Sequence, residues 1–171
     1  MAGGEAQNPQ QVSGRRRIFA GAVLALLLLL GTGCGTTPRQ LFLEVAECDS
    51  NKVLLRQKTQ PQSEFSVRFL HSYDRSFFEE HYRVVGTDKI LLTHMTFKSS
   101  LNGQGFAMGT YRARPDGSAE LADIDQELEK VVFRLGSPDL ANHTLTTGGR
   151  TLRLLDYAQA GDLLCIRVRA Q

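Results

Sequence analysis

From residue 40 onward, apolar and polar side chains alternate in short runs almost without a break, and no stretch carries a long, capped stripe at helical spacing. Alternation with period two sends successive side chains to opposite faces of a pleated strand. A chain written this way is committed to sheets. Ten runs read as strands, at 40–47, 52–57, 64–71, 80–85, 90–98, 108–112, 119–122, 129–135, 151–155 and 162–169. Their brevity and even spacing predict an all-β fold, an antiparallel β-sandwich or open barrel of about eight to ten short strands. Asp49-Ser50-Asn51, Pro115-Asp116-Gly117 and Gly148-Gly149 supply residues that tolerate tight or left-handed turns. In the last run Leu164, Ile166 and Val168 share one face, while Leu163, Cys165, Arg167 and Arg169 share the other. Residues 124–130 read alternatively as a single helical turn. One domain, 40–171, accounts for the whole patterned region.

The first 33 residues read differently. Arg15-Arg16-Arg17 precede an apolar run from Ile18 to Leu30, closed by Gly31-Thr32-Gly33. Thirteen residues of helix reach roughly 20 Å, against a hydrocarbon core of about 30 Å. The run is short for a membrane span and suits the helix of a signal peptide at 1–33. Cys34 follows directly, and Gly31-Thr32-Gly33-Cys34 resembles the lipobox of bacterial lipoproteins, with Gly31 where leucine is usual. That resemblance implies lipidation at Cys34, a short tether over 34–39, and a domain held to a membrane on the periplasmic or exterior side. Several acyl chains suffice for stable anchoring. The paired arginines before Ile18-Phe19 are also similar to a twin-arginine export signal.

Charge and cysteine counts agree with export. The chain has 20 basic and 18 acidic residues, and without Arg15, Arg16, Arg17 and Glu5 the balance is 17 to 17. A neutral domain argues against a phosphate-binding surface and against nucleic acid as a partner. Three cysteines less Cys34 leave Cys48 and Cys165, which either pair in an oxidising compartment or remain two separate thiols.

The segment 64–85 holds the richest chemistry. A hairpin register with index sum 151 opposes Val67 to Val84, Phe69 to Tyr82, and His71 to Glu80, all on one face. Glu80 then orients or charges His71 in a ligand-holding, proton-accepting or metal-binding site with Ser72 and Asp74 nearby, or else the pair simply seals the end of the core. His71-Ser72, Glu80 nine positions later, Tyr82, Gly103-Gln104-Gly105 and His143 together resemble the signature of the prokaryotic family called domain of unknown function 1850, with Phe77 where proline is common. The resemblance spans 41–168. It implies a small all-β envelope domain, often encoded beside TRAP-type transporters of the TAXI class, with no established activity.

Other chemistry finds little footing. Gly103, Gly105 and Gly109 lack the lysine and following helix of a phosphate loop, and read as a rim loop or lid. His71, His81, His94 and His143 are scattered, with His81 opposite in face to His71 and Glu80, so neither a metal nor another cofactor is expected. Asp123, Asp125, Glu127 and Glu129 lack the glycine turn of a calcium loop. No catalytic residue is assigned. The leading expectation is a lipid-anchored extracytoplasmic binding or accessory module. The family resemblance adds a solute transporter or its binding protein as partner, and the ligand site is placed at His71, Ser72, Glu80, Tyr82, Gly103, Gly105 and His143. The alternatives are a small hydrolase using His71 and Glu80, or a purely structural envelope lipoprotein.

Overall fold

The computed structural model describes residues 39–72, 75–98 and 108–171. The leader with Cys34, together with Asp74, Gly103 and Gly105, lies outside them. Within the described residues the chain forms twelve strands and one short 3-10 turn. In order they are β1 (Leu41–Glu47), β2 (Val53–Thr59), β3 (Glu64–His71), β4 (Ser76–Gly86), β5 (Lys89–Phe97), β6 (Thr110–Ala113), β7 (Ala119–Ala122), β8 (Gln126–Leu128), β9 (Lys130–Arg134), β10 (Thr144–Thr147), β11 (Arg150–Arg153) and β12 (Leu163–Ala170). They build a four-stranded sheet, β2-β1-β12-β9, and an eight-stranded sheet, β11-β10-β3-β4-β5-β7-β6, with β8 on the edge of β5. The result is sandwich-like and not closed into a barrel.

The alternation explains the packing. Leu164, Ile166 and Val168 are each fully buried, and with Leu43 and Val45 they meet Phe65, Val67, Tyr82, Val84, Ile90 and Leu145 of the larger sheet in one core. A satellite cluster of Phe78, Phe97, Ala119 and Leu121 fills the end near the β3–β4 hairpin. On the outer face of the small sheet Glu44 is buried under Arg56 and Arg167, at 3.3 and 3.2 Å, its neighbours in the β2 and β12 registers. Cys48 and Cys165 form a disulfide with Cα atoms 5.3 Å apart, spanning 117 residues.

Three expectations need correction. The strand number is twelve, because Thr144–Thr147 and Gln126–Leu128 also pair. The first is polar and short, yet the turn at Gly148 and Gly149, both with positive φ, folds it onto β11. The second replaces the helical turn considered for 124–130. Finally, β3 and β4 pair with index sum 147, not 151, so His71 opposes Ser76 and Glu80 opposes Val67. Both sums keep the same faces inward. The observed register gives eight facing pairs, aligns Phe65 with Tyr82 and Phe69 with Phe78, and ends where the Arg75 amide, at φ 47°, donates to the His71 carbonyl at 2.8 Å. Its aromatic pairs stack at 5.0 and 5.9 Å between ring centroids.

A bulge completes the arrangement. Along β4 and β5, His81 faces His94 but Tyr82 faces Leu92, which leaves Thr93 as the extra residue. Its hydroxyl donates to the His81 carbonyl at 3.0 Å. Beyond this step Met95 and Phe97 point inward with Ile90 and Leu92, while His94 and Thr96 turn to the outer face.

Candidate functional site

Inward-facing residues of β4 are Phe78, Glu80, Tyr82 and Val84, so the carboxylate of Glu80 sits in an apolar row between Val67 on β3 and Met95 on β5. The Tyr82 hydroxyl donates to Glu80 Oε2 at 2.6 Å. Desolvation raises the Glu80 pKa above the usual carboxylate range, only partly opposed by that hydrogen bond. The Tyr82 phenol is likewise pushed up, by burial first and then by the neighbouring Glu80 charge and hydrogen bond.

His143 reaches the same space from the segment before β10. Its ring lies between Phe133 of the small sheet and Phe69 of the large one, at 4.7 and 5.4 Å between centroids. The Gly136 amide donates to Nδ1 at 3.4 Å, which leaves Nε2 to carry the proton of the neutral ring. Burial lowers the His143 pKa to about 4, so the ring is uncharged at neutral pH.

Glu80, Tyr82 and His143 converge on a cavity of about 460 Å³ between the sheets. Val67, Phe69, Leu92, Leu128 and Phe133 supply its apolar wall, and the exposed Gln126, Lys130 and Met108 also line it. Sequence reasoning missed Gln126, because 124–130 reads as a single helical turn, and Lys130, because an isolated lysine at a strand start carries no signal of its own.

The other named residues lie elsewhere. His71 packs on the Phe78 ring at 4.8 Å at the hairpin end. Four residues of register separate its row from that of Glu80, roughly 13 Å along the strands. The expected His71–Glu80 couple is therefore not formed, and the hydrolase arrangement that depended on it loses its geometry. Ser72 is exposed in the turn. Of the glycine-rich stretch only Gly109 is described. A Cβ there would stand 2.3 Å from the Ala122 carbonyl oxygen, so close backbone approach requires glycine.

Comparison with curated proteins and with solved structures finds no match. The model of one family, described as Domain of unknown function (DUF1850), does match, over residues 65–154. That span is more than half of the chain; it opens on β3, holds Glu80, Tyr82 and His143, and shows that the chain belongs to this family.

Proposed function

We propose that this chain is a lipid-anchored extracytoplasmic binding and accessory module whose ligand occupies the cavity at Glu80, Tyr82 and His143. The observation that carries the reading is the convergence of Glu80 and Tyr82 of β4 with His143, distant in sequence, on one mainly apolar space of about 460 Å³. That volume suits a small organic molecule, and few polar groups among apolar walls is the usual composition of a ligand site. Glu80 is already engaged by Tyr82, while a neutral His143 and Lys130 offer N–H donors. The fitting ligand is a small amphipathic molecule whose polar end accepts hydrogen bonds, such as a carboxylate or carbonyl group. Binding is favoured over catalysis, because the carboxylate is committed to a phenol and the imidazole is wedged between two rings. Anchoring rests on the leader ending at Cys34, and the role beside a TAXI-class solute transporter or its binding protein rests on the family resemblance.

A thermal-shift screen of the full chain against short- and medium-chain carboxylic acids tests the cavity. A true ligand at a hundredfold excess over Kd adds about 2.7 kcal/mol, a rise in Tm of several degrees. The rise should vanish in His143→Phe. If no acid moves Tm, or if His143→Phe responds like the parent chain, the reading is wrong. Crosslinking in envelope membranes tests the partner, and recovery of no transporter component would remove that part.

A further inference from the structure

The large sheet carries a second concavity, of about 480 Å³, on its outer face at the β3–β4 hairpin end. The pairing explains its composition. Arg68 faces Glu79, which faces Thr96, and the next row outward brings Phe77, Lys98, Ser118 and Arg114 together. With Arg75 from the turn, four cations among the described residues line the space against one described carboxylate, Glu79. Glu79 accepts the Ser66 hydroxyl at 2.6 Å, and Arg114 is held by Glu120 at 3.1 Å. Asp116, next to Lys98, is engaged by the Ser118 hydroxyl and amide at 2.6 and 3.0 Å. Among the described residues no carboxylate lies within 4 Å of the charged groups of Arg68, Arg75 or Lys98.

The guanidinium of Arg68 lies 4.3 Å from the centroid of the half-exposed Phe77 ring, which fixes its plane. An oriented guanidinium matches the paired oxygens of an oxyanion, and clustered like charges in a concave site wait for a counter-charge. Net neutrality of the domain concealed this, because the cations come from four separate stretches of sequence.

We propose that this groove binds a phosphate-class oxyanion, with Arg68, Arg75 and Lys98 as its charge partners. The site is distinct from the Glu80 cavity and does not depend on it. Phosphate chemistry has two sources, a free phosphate compound or the phosphodiester headgroup of a lipid.

Isothermal titration of the full chain in neutral detergent with inorganic pyrophosphate, and separately with soluble glycerophosphoglycerol, distinguishes the two. Pyrophosphate binding assigns a free oxyanion, and binding of glycerophosphoglycerol alone assigns a headgroup. In either case Arg75→Gln, an exposed position that leaves the fold intact, and Arg68→Gln should each weaken binding about tenfold, while Arg150→Gln on β11 should not. Affinity should also fall as NaCl rises from 50 to about 300 mM. Failure of both probes to bind at millimolar concentration overturns the proposal, and so does binding that Arg68→Gln and Arg75→Gln leave unchanged.

Discussion

Glu79 and Glu80 are adjacent in sequence and live in different solvents. Glu80 faces the small sheet, is desolvated, and leans on a buried phenol. Glu79 faces outward, takes the Ser66 hydroxyl, and lines a groove rich in arginine. The histidines repeat the contrast. His143 sits alone between two phenylalanine rings inside, whereas His81 stacks on His94 outside, with centroids 4.1 Å apart and planes within 3°. Burial is the first cause of the lowered pKa in both, but His81 is also opposed by the charge of its neighbour. One residue of strand separates a face where a few polar groups orient a ligand in an apolar space from a face where charge gathers.

The largest test of this division leaves both faces intact. Replacing Cys48 and Cys165, which bridge the end of β1 to β12 in the small sheet, by alanine opens a loop of 117 residues and should lower stability by about 4–5 kcal/mol in urea unfolding. Circular dichroism of the native state should be preserved at low temperature.

Next comes the dry face itself. Tyr82→Phe leaves the Glu80 carboxylate buried without its donor and should cost about 1–3 kcal/mol, whereas Glu79→Gln outside should cost under about 1 kcal/mol. Equal effects would erase the contrast between the faces.

Acidity separates the faces further. The folded-state pKa of His143 is lowered to about 4, so the unfolded chain binds the proton first, and stability falls as pH drops from about 6.5 to 4. This contribution is about 2 kcal/mol once partial solvent access is allowed for. Phe fits between the same rings, and His143→Phe should flatten that part of the pH–stability curve. Glu80 acts in the opposite direction: its raised pKa makes the folded protein less stable as pH rises above the usual carboxylate value, so Glu80→Gln should stabilise at pH 8 relative to pH 4. The smallest effect is expected at Phe77, where Phe77→Ser on the outer face should change stability by less than about 0.5 kcal/mol.

Much of this layout is legible in the residue order. Ile166 and its neighbours on β12 announce their inward face by alternation alone, and all ten expected strands occupy real strand positions with ends shifted by a few residues. Glu80, Tyr82 and His143 stand out in the sequence through the family resemblance, together with His71, Ser72, Gly103 and Gly105. What alternation could not supply was the hairpin register, since sums of 147 and 151 bury the same set of side chains and differ in which residues meet across the strands, His71 and Glu80 among them. Thr93 was equally hidden, because a bulge changes the face of everything beyond it without marking the pattern.

Residue order by itself determined that this protein forms pleated layers with one dry face, and which side chains that face carries along unbroken strands such as β12, because both follow from a local repeat of two. Tertiary structure alone decided that His71 and Glu80 stand apart, that His143 is pressed between rings from different sheets, and that four cations share one groove. Those are meetings between distant segments, fixed by strand pairing and by the packing of sheet on sheet, for which a period-two pattern holds no information.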